Sequence, residues 1–187
     1  MKKNSFKKFV SLMRKSEMYF LEYDGTHYII ANSYLLLKVN AGIYKTYFHD
    51  TEKKMFPHIT NKNMTLVFDR IDNKFVKANK KINLNKLFPV NENTCILTNA
   101  ILQLKTCAAN CYAVNADKPF VVTINNDFVK AFSDIFENHC TIYGGKKDYS
   151  PILFHDNFQD ISGFILPIRD INNQETKHGI LKQFNMV

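Results

Sequence analysis

Two stretches far apart in the chain share one signature: apolar residues at helical spacing, each beside a set of short strand-like runs. In the first, Phe6, Phe9, Val10 and Met13 fall at i, i+3, i+4 and i+7, while Lys7, Lys8, Arg14 and Lys15 fall off that stripe. In the second, Phe128, Val129, Phe132, Ile135 and Phe136 make the stripe, and Asn125 or Asn126 stands where it can cap the helix. A helix with one apolar face must bury it against another element, so both helices require strands or helices to lie on. This constrains the chain to a layered α+β architecture.

The strands beside the first helix are Met18 to Tyr23 and His27 to Ala31, joined at Asp24-Gly25, a dipeptide that accepts positive φ in a hairpin turn, and then Tyr34 to Val39. Around the second helix lie Phe120 to Ile124, Thr141 to Tyr143, Pro151 to Phe154 and Gly163 to Ile168. The shared order of elements implies a duplicated unit closing into one domain. We therefore expect a single domain over 1–187, divided into a first helix/strand unit (1–49), a middle segment (50–118), a second unit (119–169) and a tail (170–187). Tyr44 to Phe48, at the end of the first unit, and Met64 to Phe68, in the middle segment, read as strands. Asp72 to Lys86 is Lys/Asn-rich and reads as a loop or inserted segment, and Cys95 to Leu104 fits either a buried strand or a helix.

A chain of 187 residues, 45% of them hydrophobic, can bury one core without disulfides or a structural metal. No apolar run approaches the roughly 18 residues that span a bilayer, and the basic N-terminal stretch lacks a signal-peptide core and cleavage site. The expected location is the cytoplasm, and Cys95, Cys107, Cys111 and Cys140, irregularly spaced, are expected as reduced thiols.

The net charge of +8 is uneven: residues 1 to 118 hold 19 Lys/Arg against 9 Asp/Glu, and the remainder 6 against 8. The basic half is where a polyanion would bind. Candidate nucleic-acid contacts are Lys7, Lys8, Arg14 and Lys15 on the first helix and Lys74, Lys77, Lys80 and Lys81 in the Lys/Asn-rich stretch. Lysines outnumber arginines 22 to 3, which removes most of the bidentate donors that read guanine edges, so any such contact should be sequence-tolerant.

The second unit resembles the last domain of the bacterial DNA polymerase III β subunit, the sliding clamp. The resemblance rests on Asn126-Asp127-Phe128 opening a helix, Ser150-Pro151-Ile152-Leu153-Phe154, and Gly163-Phe164-Ile165-Leu166-Pro167-Ile168-Arg169, in the clamp's order and spacing. Tyr28-Ile29-Ile30-Ala31-Asn32-Ser33-Tyr34 after the first helix is similar to clamp-like proteins of phages of low-GC bacteria. The resemblance implies a DNA-clamp-like fold of two helix-plus-antiparallel-strand units with a middle insertion. It also implies a peptide-receiving groove at Leu166, Pro167, Ile168 and Arg169, and further copies of the chain as partners, since a ring takes several such domains. Unlike ring-lining helices, the helix from Asp127 to Glu137 carries Asp127, Asp134 and Glu137 against Lys130.

Catalytic signatures are sparse. Asp50-x-Glu52-Lys53 is the nearest approach to a metal nuclease pattern, His49 and His58 lack helical i, i+4 spacing, and Cys107-x3-Cys111 with His139-Cys140 lacks the separation of a zinc site. Phosphate-loop, dinucleotide and nucleophile-elbow motifs do not occur, and Gly144-Gly145-Lys146-Lys147 reads as a turn. The expectation is a non-catalytic protein with no cofactor and no metal, acting in DNA transactions by binding DNA or a replication protein. The alternative is an inhibitor, of anti-CRISPR type, of a host nucleic-acid-targeting defence protein.

Overall fold

The structure is a computed structural model, and it describes residues 5–51, 53–62, 64–78, 84–87, 93–136, 140–168 and 174–186. Among these residues the chain begins with helix α1 (Lys7–Lys15) and strands β1 (Met18–Tyr23), β2 (His27–Ala31) and β3 (Leu35–Asn40). Helix α2 (Ala41–Tyr44) follows and runs on as a π-helical turn over Lys45–His49. Next come β4 (Met64–Asp69), β5 (Lys74–Lys77), a 3-10 turn (Leu84–Leu87), β6 (Asn93–Gln103), β7 (Ala108–Val114) and β8 (Phe120–Asn125). Helix α3 (Asn126–Phe136), strands β9 (Thr141–Gly144), β10 (Ile152–Asp156) and β11 (Ile161–Ile165), and helix α4 (Gln174–Gln183) complete the order.

The strands form one antiparallel sheet in the order β5-β4-β1-β2-β3-β11-β10-β9-β6-β7-β8. At its centre β3 pairs with β11, Leu37 opposite Gly163. Counting outward, β3-β2-β1 on one side answers β11-β10-β9 on the other, each trio preceded by its helix, and α1 packs on α3. The expected repetition of a helix-plus-strand unit is thus laid out symmetrically about the β3–β11 seam. Past β11 the chain donates from Ile168 N to Thr123 O of β8 at 2.8 Å. Strands five places apart in the sheet therefore meet, and the section between them wraps α3, which contacts β7, β8, β10 and β11.

The alternation of side chains along the strands assigns each face a cluster. Tyr28 and Ile30, Leu35, Leu37 and Val39, and Ile152 and Phe154 point into the main core with Phe9, Val10 and Met13 of α1 and Phe132, Ile135 and Phe136 of α3. Burying each such side chain contributes about 1.5–3 kcal/mol. The intervening residues Ile29, Ala31, Leu36, Leu153 and Phe164 face the other way and pack with Leu84. On that same outer face Glu22, 2% exposed, accepts from Thr65 Oγ1 at 3.0 Å and Leu84 N at 3.2 Å.

Local chemistry fixes the element ends. Asp24 Oδ1 accepts from Thr26 N and His27 N at 2.9 and 2.8 Å, closing the first hairpin around Gly25, whose φ is +109°. Asn125 Oδ1 accepts from Asp127 N at 2.8 Å at the start of α3, one of the two caps expected. Three buried phenols hold the segment after the π turn: Tyr19, Tyr44 and Tyr28 donate to Met55 O, Pro57 O and Ile59 O at 2.7, 2.8 and 2.9 Å. Burial raises the pKa of all three, so they remain donors.

Several sequence expectations are corrected. Tyr44 to Phe48 is helical, because Asn40 Oδ1 accepts from Ile43 N at 2.9 Å and starts α2, and Tyr44 and Phe48, four apart, are both buried on one side. Their aromatic content suggested a strand, but their spacing is that of a helix. Asp72 to Lys86 includes the edge strand β5 and the 3-10 turn. Cys95 to Leu104, open between strand and helix in the sequence, is largely strand within β6, and β7 has no counterpart among the expected elements. The middle segment is accordingly not an appendage: β4 and β5 extend one flank of the sheet, β6 and β7 the other. The tail contains α4, whose Ile180 and Leu181 pack with Cys111, Ala113 and Val121. The last strand stops at Ile165 rather than Ile168, consistent with Pro167 having no N–H to offer.

Two substitutions test this packing. A Cβ at Gly163 would fall into the Phe132 ring and 3.0 Å from Leu36 O, so Gly163→Ala should lower the unfolding free energy by about 1–3 kcal/mol in a urea titration. Tyr44→Phe leaves Pro57 O without its donor and should cost about 1–2 kcal/mol, whereas Tyr34→Phe, on a residue 58% exposed, should stay within about 0.5 kcal/mol.

Candidate functional site

Helix α1 turns Phe9, Val10 and Met13 inward, which leaves Lys7, Lys8, Arg14 and Lys15 exposed together on its outer side. Lys8 Nζ pairs with Asp134 Oδ2 of α3 at 2.9 Å, an ion pair with both side chains well exposed and therefore worth under about 1 kcal/mol. Arg14 and Lys15 occupy the last turn, where the helix dipole favours cations. Arg14 Nε donates to Met55 Sδ at 3.4 Å, and the exposed Lys53 and Lys54 immediately precede that methionine.

Arg70 completes the cluster. Its Nη1 donates to Lys15 O at 3.3 Å and its backbone N to Glu17 O at 3.3 Å. It is placed there because β4 pairs with β1 in a register that sets Asp69 opposite Met18, just past the end of α1. β5 then sets Lys74 opposite Asp69, so the first helix and the Lys/Asn-rich stretch, predicted as separate basic regions, meet around the β4–β5 turn. Lys74 Nζ also pairs with Asp72 Oδ2 at 2.9 Å. Lys77 is exposed at the far end of β5, opposite Leu66, and Lys80 and Lys81 lie outside the described residues. Sequence alone does not point to Arg70 or Lys54, and it points to Lys53 only as part of the Asp50-x-Glu52-Lys53 pattern, not as a member of this cluster. Their membership follows from the β1–β4 register and from the anchoring of Met55, neither of which leaves a local sequence signal.

The exposed face of α3 is different. Asp127 and Lys130 are exposed and the Asp134 side chain reaches solvent, so the cationic surface belongs to α1 and its C-terminal end and is bordered by acid on α3. Lysine and arginine groups fanned over an exposed helix end can neutralise several phosphates without a fixed fork for a base edge.

The residues expected to form a partner groove lie at the same end of the sheet as the last turn of α1, where Asn32 Nδ2 donates to Ser16 Oγ at 2.9 Å. Leu166, 37% exposed, donates its N–H to Tyr34 O at 2.9 Å, and Pro167 and Ile168 are half-buried. Arg169 lies outside the described residues. Tyr34, 58% exposed, stacks on Phe128 with ring centroids 6.0 Å apart. Leu166, Tyr34 and Phe128 thus mark an apolar surface near the start of α3. Asn32 shapes that end, its Oδ1 accepting from Tyr34 N and Leu35 N, both at 2.8 Å.

Asp50 and Lys53 are exposed on the segment after the π turn, and Glu52 lies outside the described residues. None of the four cysteines is in a disulfide. Burial pushes the Cys95 thiol up to about 12 and raises that of Cys140, which keeps both protonated and poorly nucleophilic near neutral pH. Among the described residues no group of three or more His, Cys, Asp or Glu side chains is arranged to hold a metal ion, and no helix is long and apolar enough to cross a membrane. Comparison of the chain with models of known families, with curated proteins and with solved structures finds no match in any of the three.

Proposed function

We propose that this is a non-catalytic, DNA-clamp-like protein of a phage or mobile element that acts in DNA transactions in the cytoplasm, holding nucleic acid without sequence preference. One observation carries this reading: Lys7, Arg14 and Lys15 of α1 share an exposed surface with Arg70, Lys74, Lys53 and Lys54, contributed by three separate parts of the chain. The symmetric arrangement of two helix-plus-three-strand units about the β3–β11 seam supports the clamp-like part of the proposal, and a homo-oligomer is the assembly such a part would enter. Binding would be electrostatic, driven by release of counterions from phosphates, and therefore steeply salt-dependent.

A second reading draws on the Tyr34–Phe128–Leu166 surface. There the chain would hold a replication protein, or would inhibit a host nucleic-acid-targeting defence protein in the manner of an anti-CRISPR, with the apolar surface as the contact. Exposed aromatic and aliphatic side chains beside a polar rim are suited to a protein partner.

The two readings separate experimentally. With four phosphate contacts, affinity for a mixed-sequence duplex should drop on the order of a hundredfold between about 50 and 200 mM salt. The variant Lys7→Glu, Arg14→Glu, Lys15→Glu, Arg70→Glu should abolish that binding, and binding that survives these reversals would refute the assignment. Asp134→Asn releases Lys8 and removes an acidic border, so it should strengthen duplex binding severalfold. Tyr34→Ala and Leu166→Ala, which change no charge, should leave duplex binding unchanged, yet they should disrupt a stoichiometric complex with a protein partner.

A further inference from the structure

His49 and His58 have no helical spacing in the sequence, yet the fold brings their imidazoles together, with ring centroids 5.8 Å apart and planes inclined by 49°. The π turn that ends in His49 is followed by a segment tied back by the Tyr19, Tyr44 and Tyr28 hydroxyls, which returns His58 beside it. Two imidazoles sharing one ion at a metal–nitrogen distance of about 2.0–2.1 Å hold their ring centroids roughly 5–6 Å apart when the angle at the metal is about 110–130°.

Counting protons settles which nitrogen of each ring is available. His49 Nδ1 lies 3.0 Å from Phe56 O, and a carbonyl oxygen accepts, so Nδ1 carries the hydrogen. His58 Nδ1 lies 3.1 Å from the Tyr28 hydroxyl. That hydroxyl has one proton and donates it to Ile59 O at 2.9 Å, so it accepts from His58 Nδ1–H. In the neutral form both rings therefore present Nε2 as a bare lone pair, and among the described residues neither Nε2 has a hydrogen-bond partner. Metal-ligating histidines are characteristically held this way, with the second nitrogen donating to a carbonyl or another oxygen that fixes ring and tautomer. A cleft of about 490 Å³, lined in part by Tyr23, Tyr44, Lys45 and His58, opens on the His58 side of the pair.

We propose that His49 and His58 form a two-imidazole site for a borderline transition-metal dication, Cu²⁺, Ni²⁺ or Zn²⁺, bound through the two Nε2 atoms. Water fills the remaining positions, since no third His, Cys, Asp or Glu joins the pair among the described residues. Neutral imidazole suits these ions and not Mg²⁺ or Ca²⁺, which take oxygen ligands. The ion would clip the π turn to the segment ending at Ile59. This goes beyond the proposed nucleic-acid role and does not depend on it.

The test is a titration of the full chain with CuCl₂, followed by calorimetry and by electron paramagnetic resonance, whose nitrogen hyperfine pattern counts the coordinated imidazoles. The expected result is one ion per chain with a two-nitrogen pattern, and weaker binding of Zn²⁺ at the same site. His49→Gln and His58→Gln should each remove the two-nitrogen signal. Tyr28→Phe deletes the oxygen that orients His58 and should weaken binding about tenfold while keeping the pattern. His178→Gln, at an exposed histidine on α4, should change nothing. Absence of stoichiometric Cu²⁺ binding, or a two-nitrogen signal that persists in His49→Gln or His58→Gln, overturns the proposal.

Discussion

The aromatic ring of Phe132 lies on bare backbone at Gly163, and the rest of the molecule is arranged around that contact. Gly163 sits in β11 opposite Leu37 of β3, at the junction of the two halves of the sheet. Because no Cβ stands there, α3 can approach the sheet closely, and Phe132 also reaches Phe9 of α1, Phe136 and Phe154, with ring centroids 5.2–6.2 Å apart. Both helices and both halves of the sheet are thereby drawn into one core. The inward orientation of α1 in turn decides which of its side chains face solvent, so the cationic surface is a by-product of where the phenylalanines go.

Much of this was legible from sequence, and the reason is periodicity. The stripes of α1 and α3, the β1–β2 hairpin about Asp24-Gly25, and strands β3, β4, β8, β9 and β10 all announce themselves through local pattern. Where the reading failed, the deciding interaction was remote or the pattern double. Tyr44 and Phe48 satisfy both an aromatic strand and a helical i, i+4 pair, and it took the Asn40 cap and the packing of Phe48 on Phe6 and Phe9 to choose. β5 is short, with Lys at both ends, a composition that protects a sheet edge from unwanted pairing and also looks like a loop. α4 is weakly amphipathic, and its register is set by contact with β8.

The interaction surfaces divide the same way. Lys7, Lys8, Arg14 and Lys15 could be named because a helical stripe fixes which residues face outward. Arg70 enters through a strand register that pairs residues about fifty positions apart, and Met55 brings Lys53 and Lys54 through a contact spanning 41 residues. Leu166 was expected on a strand and is instead in the crossing segment after it. There its exposure arises from the path the chain takes between Tyr34 O and Thr123 O, not from strand alternation.

The β3–β11 seam also bears on how the chain reaches this state. Strands β1 to β5 come from one continuous stretch and β6 to β11 from another, so nearly all ladders close within their own half. β3 and β11, by contrast, join residues 35–39 to 161–165. Loop-closure entropy makes that long-range pairing the costliest in the sheet. That one ladder is therefore the longest closure in the sheet, and with α1 on α3 it joins two sequence-local sets of strands over a shared core.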